Sequence, residues 1–186
     1  MKHLIKVAVV ALGVVFAGNA ANAQQKFAHI NSSDLLQSMP EMKSADAAFQ
    51  VFAKAKQTQL EKMDAERQKK ITVYTEKSKT LSEANKDAVG KEIEMLVKEI
   101  QDMEKRIGET QSKAEQEVAT KRQELYKPAI DKAETAVRAV AKEKGYAYVF
   151  DISQPGVVYF DGGEDMMGAV RAKLGISTTA STAPKK

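Results

Sequence analysis

The feature that most constrains the fold is a long charged stretch between Pro40 and Pro128. It contains no other proline and only two glycines, Gly90 and Gly108, and it is rich in Lys, Glu, Ala and Gln. These residues favour helix, and nothing in the stretch alternates with the period of two that a strand requires. The sequence therefore predicts long helices that cannot fold over a compact core of the remaining residues.

Apolar side chains recur along the first part of this stretch at steps of three and four residues, which is the spacing of coiled-coil packing. Lys56, Arg67 and Ser78 interrupt this stripe with polar groups, so the predicted seam is irregular. Its members are Met42, Ala45, Phe49, Phe52, Lys56, Leu60, Met63, Arg67, Ile71, Tyr74, Ser78 and Leu81.

Residues 82–87 are the weakest part of the helical stretch, because Ser, Asn and Asp compete for backbone hydrogen bonds and favour turns. Gly90 follows, so we place the tip of a helical hairpin near residues 82–90. A second seam then begins, and Val118 and Leu125 continue it loosely. Its regular members are Ile93, Leu96, Ile100, Met103, Ile107, Thr110 and Ala114.

An antiparallel coiled-coil hairpin with this tip sets Pro128 level with Pro40. Both prolines then mark the root of one arm, which spans residues 41–127. Proline removes a helical hydrogen bond and clashes with the preceding turn. The sequence therefore predicts a kink or break near Tyr126 and Lys127.

The remaining residues, 24–40 and 128–176, form a small body. Segments rich in aromatic and β-branched residues predict three short strands, of which the last two pair as a hairpin. Two short helices complete the body, and Gly175 closes the last one. The predicted strands are 26–30, 146–152 and 157–160, and the predicted helices are 35–39 and 166–174. The predicted fold class is mainly α, with a long helical hairpin projecting from a small β body.

Both ends of the chain lie outside these two parts. Two lysines precede a short apolar run, and residues 21–23 (Ala-Asn-Ala) fit a signal cleavage site. Residues 1–23 are therefore predicted to be a signal peptide cut after Ala23, with an N-terminal membrane anchor as the alternative. Residues 177–186 are rich in Ser, Thr and Ala and are predicted to be disordered.

The body is too small to bury a large core, and a chain without cysteine cannot compensate with disulfides. Three strands also leave open sheet edges. Both arguments predict a homo-oligomer that shares its body, without fixing the number of copies. The candidate residues for the body core and for contact between copies are Phe27, Ile30, Tyr146, Tyr148, Val149, Phe150, Val158 and Phe160.

The arm carries methionine and aromatic side chains on or beside its seams, and methionine adapts to partners of irregular shape. One interpretation is a surface that contacts many ligands. The alternative is that each of these side chains packs helix against helix. The candidate contact residues are Phe49, Phe52, Met63, Ile71, Tyr74, Met95 and Met103.

The first helix of the arm is basic, although the net charge of the chain is only +4 and falls to +2 when two lysines leave with the signal peptide. A basic face attracts acidic partners and makes transient contact with an anionic membrane surface. The alternative is an ordinary solvated face. Export and the lack of aromatic stacking residues argue against nucleic acid. The candidate residues are Lys54, Lys62, Arg67, Lys69, Lys70 and Lys77.

The sequence contains no recognisable catalytic or metal-binding arrangement. His29 is the one histidine left after removal of the signal peptide, and there is no cysteine, so a zinc or copper site of His and Cys ligands is excluded. Gly162 and Gly163 lack the lysine and the spacing of a phosphate-binding loop. We therefore expect a protein that is not an enzyme and needs no cofactor.

These features together resemble the Skp/OmpH family of periplasmic chaperones over nearly the whole mature chain. The most specific part is segment 144–151, Lys-Gly-Tyr-Ala-Tyr-Val-Phe-Asp. The segment 35–40, the charged hairpin and the export signal agree with it. Met167 departs from the family pattern, which often has Thr there, and this difference affects only a local helix cap.

The resemblance implies a homotrimer built on a small β-barrel body with three helical arms. The arms would hold unfolded outer-membrane proteins in the periplasm and prevent their aggregation, without ATP or metal. Family positions for lipopolysaccharide binding are not carried over, because the arm has no matching motif. The alternative function is a structural coiled-coil spacer or adaptor of the cell envelope.

Overall fold

The computed structural model describes residues 25–176. The predicted signal peptide and C-terminal tail lie outside the described residues. The chain separates into two compact units. The helical unit is Pro40–Ile130, and the sheet unit comprises the described parts of Met1–Met39 and Asp131–Lys186.

Two long helices make up most of the described chain. The prediction of a mainly helical protein with a small sheet is therefore confirmed. In chain order, the elements of the described residues are β1 (Phe27–Ile30), α1 (Ser32–Ser38), α2 (Pro40–Thr80), α3 (Lys86–Lys144), β2 (Tyr148–Asp151), β3 (Glu164–Asp165) and α4 (Met167–Leu174).

The sheet has the strand order β2-β1-β3, and both outer strands run parallel to β1. Phe27 of β1 is paired with Tyr148 of β2, and Ala28 of β1 is paired with Glu164 of β3. Parallel strands cannot be joined by a tight turn. The chain accordingly passes through α1, α2 and α3 between β1 and β2.

The prediction of a strand at residues 157–160, paired as a hairpin with the preceding strand, is wrong. This segment has no strand conformation, and the side chain of Val158 is 99% exposed. A sequence of high β-propensity forms a strand only where it pairs with a partner strand, and segment 157–160 pairs with neither outer strand of the order β2-β1-β3. The third strand is instead formed by Glu164 and Asp165, whose acidic side chains disfavour strands and so gave no signal in the sequence.

The buried side chains of β1 lie on one face of the strand. Ala28 and Ile30 are buried, whereas Phe27 is exposed and His29 is half-buried, in agreement with the period of two along a strand. Full burial of an apolar side chain stabilises a fold by about 1.5–3 kcal/mol. The largest fully buried side chains are Leu35, Met39, Met166 and Val170.

The last helix, α4, ends as predicted at Gly175. This residue has a φ of 70°, in the left-handed region that favours glycine. The amide of Gly175 donates to the carbonyl of Ala172, and the amide of Ile176 donates to the carbonyl of Arg171 at 2.9 Å. These bonds satisfy carbonyl groups that the end of the helix would leave unpaired.

Helix α3 continues without interruption through Pro128, so of the kink or break predicted near Tyr126 and Lys127 the break does not occur. Proline removes one backbone hydrogen bond, but this helix has 59 residues. The ring of Pro128 is exposed, and the adjacent Ala129 is buried. The loss of one hydrogen bond at Pro128 therefore does not end a helix that has buried residues both before and after the proline.

The chain leaves the helical conformation at residues 81–85, between α2 and α3. The side-chain oxygen of Asn85 accepts a hydrogen bond from the amide of Ser82 at 2.8 Å, and its amide group donates to the carbonyl of Thr80 at 2.9 Å. Asn85 thus satisfies backbone groups where helical bonds stop, as expected of a residue type that favours turns. Gly90 already belongs to α3.

Burial along α2 and α3 follows the two predicted seams. Every predicted seam residue except Leu81 is buried or half-buried, while most residues between them are exposed. The spacing of three and four residues therefore identified the less accessible faces of both helices correctly. Few positions in the helical unit are fully buried, and those are the alanines Ala45, Ala114 and Ala129.

Candidate functional site

Ion pairs connect α2 and α3 at successive levels of the helical unit. Among them are Lys56–Glu117, Arg67–Glu104 (3.4 Å), Lys70–Glu99 (2.6 Å) and Lys77–Glu92. Residues later in α2 pair with residues earlier in α3. The hydrogen bond from Lys56 to Glu117 also lowers the pKa of the Glu117 carboxyl group below its usual value.

An aromatic and charged cluster joins the same two helices close to Pro128. The hydroxyl group of Tyr126 donates to Asp46 at 2.5 Å, and this hydrogen bond raises the pKa of Tyr126. The rings of Phe49 and Tyr126 lie 5.9 Å apart in an edge-to-face arrangement. The guanidinium group of Arg122 lies 6.0 Å from the centres of both rings. Phe49 is thus already engaged in contacts between helices.

Most of the predicted contact residues of the arm lie on the seams. The exception is Met95, whose side chain is 59% exposed. The other predicted contact residues are half-buried, so packing between helices covers part of their surface. They are Phe49, Phe52, Met63, Ile71, Tyr74 and Met103.

Three exposed apolar residues of this region were missed in the sequence. They stand beside seam positions, so a search for steps of three and four passes over them. An apolar residue on the polar side of a charged helix is the signal that would have found them. These residues are Val51, Val73 and Val97, and Val51 is 73% exposed.

The predicted basic residues fall into two groups. Arg67, Lys70 and Lys77 form ion pairs with carboxylates of α3. The others are Lys54, Lys62 and Lys69, which are exposed on α2. No carboxylate of the described chain lies within ion-pair distance of these three lysines. Only the second group offers its full charge to a partner.

Three aromatic rings cover one face of strands β1 and β2, and we call Phe27, Tyr148 and Phe150 the aromatic face. Their centroids lie 5.7 Å, 6.3 Å and 6.4 Å apart in stacked arrangements. Each side chain remains about half exposed, with Tyr148 at 53%. A contiguous exposed apolar patch of this kind indicates an interaction surface.

The remaining predicted body residues differ in accessibility. Ile30 is fully buried, and Tyr146 and Val149 are half-buried. Val158 and Phe160 are exposed, although the ring of Phe160 lies 4.9 Å from that of His29. In the described chain, the predicted set therefore contributes Ile30 to the interior and mainly exposed surface otherwise.

Asp151 connects the end of β2 to the beginning of α1. Its carboxylate accepts hydrogen bonds from the amide and hydroxyl groups of Ser32, at 3.1 Å and 2.5 Å, and from those of Ser153, at 3.0 Å and 2.7 Å. Burial raises the pKa of Asp151, but the four hydrogen bonds outweigh burial and lower it below its usual value. The aspartate that ends the family-like segment 144–151 is thus a structural connector.

Two adjacent residues at the end of α3 form ion pairs with the elements that follow. Lys144 pairs with Glu164 of β3, and Glu143 pairs with Lys173 of α4. The hydrogen bond from Lys144 lowers the pKa of Glu164. These exposed pairs connect the end of α3 to β3 and α4, but each contributes little free energy.

Neither a metal site nor a membrane span is found in the described part of the chain. Among residues 25–176, no three His, Cys, Asp or Glu side chains gather as metal ligands would. None of the helices in that range combines the length and apolar character that crossing a bilayer requires.

Comparison with protein families identifies the chain. A family model described as Outer membrane protein (OmpH-like) matches residues 26–174. No protein with a curated description matches the chain significantly. The family match covers the sheet unit and the helical unit together, so the chain belongs to the OmpH-like family.

Proposed function

We propose that this protein is an ATP-independent holdase chaperone that binds unfolded outer-membrane proteins in the periplasm and prevents their aggregation. Membership of the OmpH-like family supports this role. The observation that carries the proposal is a set of apolar side chains on α2 and α3 that remain exposed to solvent in the folded chain.

In this proposal, α2 and α3 form an antiparallel coiled-coil hairpin that acts as an arm. The order of the ion pairs supports it, because Lys56 pairs with Glu117 whereas Lys77, further along α2, pairs with the earlier Glu92. Such exposed pairs each contribute little to stability. The arm can therefore bend around a bound protein at a small cost in free energy.

The surface of the arm suits an unfolded chain with alternating apolar and polar residues, as in a membrane β-barrel. Val51, Val73, Met95 and Val97 offer apolar contact at separate places on both helices. The exposed lysines of α2 attract acidic segments of the same client. Several weak contacts hold a client without a tight fit, and this permits its later release.

The aromatic face supports self-association through the sheet unit. Phe27, Tyr148 and Phe150 each keep about half of their surface in contact with solvent in the single chain. Burying stacked aromatic rings against a second copy removes this area from water. A trimer with a β-barrel body is the assembly that the family resemblance implies, and it would arrange three arms around one cavity.

A variant without the exposed apolar side chains tests the binding surface. We would combine Val51→Thr, Val73→Thr, Val97→Thr and Met95→Gln, which keep side-chain size while adding polar groups. An unfolded outer-membrane protein is diluted from urea in the presence of either protein, and light scattering reports aggregation. The concentration that halves aggregation should rise about tenfold, since apolar area available for contact is lost.

The matched control places Val51→Ile, Val73→Ile, Val97→Ile and Met95→Leu at the same positions. This control keeps the surface apolar and should suppress aggregation as well as the original protein. Circular dichroism checks that both variants retain the helix content. Equal suppression by the polar variant and the control would refute the proposed binding surface.

A further inference from the structure

A cleft of about 700 Å³ opens in the sheet unit. Its walls come from β1, α1, the residue after β2, β3 and the first turns of α4, so every wall belongs to the same unit. The side chains around it include several polar and charged groups. Those relevant to binding are His29, Asn31, Asp34, Gln37, Asp165 and Arg171.

Two nitrogen atoms of the cleft residues are shielded from solvent without a hydrogen-bond partner in the described chain. They are Nε of Arg171 and Nδ1 of His29. A polar group that is removed from water and left unpaired destabilises the fold. The charge of Arg171 is also unpaired within the described residues, so the guanidinium group remains available to an acceptor that enters the cleft.

The charges around the cleft distinguish between classes of anion. Arg171 presents a planar guanidinium group, which pairs with a carboxylate through two parallel hydrogen bonds. Asp34 and Asp165 line the same cleft, and Asp165 also accepts a hydrogen bond from the amide of Met167 at 2.9 Å. These two carboxylates oppose the binding of any anion, and they repel a phosphate dianion more strongly than a ligand with a single negative charge.

We infer that this cleft binds a carboxylate group, with Arg171 as its cationic contact. Asn31 and Gln37 also line the cleft, and their side-chain amides are able to donate hydrogen bonds. The carboxylate belongs either to a small organic acid or to the C-terminus of a polypeptide, since both present the same chemical group. This binding is independent of the exposed apolar residues on α2 and α3, so it can fail while the holdase proposal holds.

Titration of the whole protein with matched probes tests the inference. The probes are acetate, inorganic phosphate, an acetylated dialanine with a free C-terminal carboxylate, and the same dipeptide as a C-terminal amide. NMR follows the Nε–H signal of Arg171 and the backbone amides around the cleft. We expect saturable shifts with the free dipeptide, and binding at least tenfold weaker with the amide and with phosphate.

The affinity for acetate, compared with that for the free dipeptide, identifies the source of the carboxylate. Binding of acetate as tight as that of the free dipeptide supports a small organic acid. Binding of the dipeptide tenfold tighter than acetate supports the C-terminus of a polypeptide. No saturable shift with either probe, equal binding of the acid and the amide, or tighter binding of phosphate would overturn the inference.

Two substitutions separate a binding role of Arg171 from a structural role. Arg171→Gln should abolish the response to the free dipeptide, and Arg171→Lys should retain a weaker response because it keeps the charge but loses the planar group. Arg138→Gln is the control, since Arg138 is an exposed arginine of the same unit that pairs with Glu134 outside the cleft. Unchanged affinity in Arg171→Gln, or equal losses in Arg171→Gln and Arg138→Gln, would contradict the assignment.

Discussion

The sheet unit and the helical unit of this chain are stabilised in different ways. The sheet unit buries Leu35, Met39, Met166 and Val170 completely. The helical unit has half-buried seams, and its fully buried positions among the described residues are occupied by alanine. Large side chains thus reach the interior of one unit and remain partly accessible in the other.

This difference follows from geometry. A sheet covered by short helices encloses side chains from several directions. Two neighbouring helices cover each other on one side only, so their seams stay in partial contact with water. The comparison teaches that one chain can combine a unit with a closed core and a unit whose seams stay partly accessible, and the proposed chaperone role uses both.

The largest expected effect comes from removing the same side chain in each unit. Leu35→Ala should lower the free energy of unfolding by about 2–5 kcal/mol, because it leaves a cavity in a closed core. Leu60→Ala, on the half-buried seam of α2, should cost only about 1 kcal/mol, since less apolar area is lost. Urea unfolding at one fixed protomer concentration measures both. Equal losses would show that the two units are packed alike.

The aromatic face should matter for assembly more than for the fold of a single chain. Phe150→Ser should weaken self-association by about 2 kcal/mol or more, as truncation of a central aromatic residue does at an interface. Sedimentation measures the mass over a range of concentrations. Ile130→Ser, which changes another exposed apolar residue, is the control and should leave the mass unchanged. An unchanged mass for Phe150→Ser would remove this face from the proposed interface.

Substitution of Asp151 tests how strongly this carboxylate connects β2 to α1 in the sheet unit. Asp151→Asn should lower the free energy of unfolding by about 1–3 kcal/mol, because the hydrogen bonds from Ser32 and Ser153 lose their charged acceptor. The pKa of Asp151 is lowered in the fold, so its contribution is present above the unfolded pKa of about 3.9 and is lost as the pH falls through the folded value. The difference between the two proteins should therefore shrink in acid, and a constant difference would contradict the assigned role.

The smallest effect is expected in the helical unit, at Tyr126. Tyr126→Phe keeps the ring contact with Phe49 but removes the hydrogen bond to Asp46, at a cost of about 0.5 kcal/mol. The pKa of Tyr126 is raised, so this contribution is present below the unfolded pKa of about 10 and is lost as the pH rises through the folded value. Thermal unfolding between neutral and alkaline pH checks it. A loss as large as that of Leu35→Ala would contradict the account of a loosely held helical unit.

Periodic features were predictable from the sequence, and features that depend on distant partners were not. The seams of α2 and α3 follow from local spacing, so all their members except Leu81 were placed correctly. The pairing of β3 with β1 depends on residues far apart in the chain, and Glu164 and Asp165 show no strand pattern. Segment 157–160 shows the reverse case. Its sequence is typical of a strand, but it pairs with no strand within the described chain.

The candidate surfaces show the same division. The stacked rings of Phe27, Tyr148 and Phe150 require the parallel register of β1 and β2, which no local pattern specifies. The cleft around Arg171 likewise brings together residues from both ends of the chain. Val51 and Val73 were overlooked for another reason, because a search for seams discards apolar residues that fall between seam positions.

The central claim is that this OmpH-like protein holds unfolded outer-membrane proteins in a soluble state. The most direct test dilutes an unfolded outer-membrane β-barrel protein from urea, with and without the protein and without ATP, and combines light scattering with a mass measurement of the soluble fraction. The account predicts suppressed scattering and a soluble complex of one oligomer with its client. Unchanged aggregation at a molar excess of the protein would contradict it.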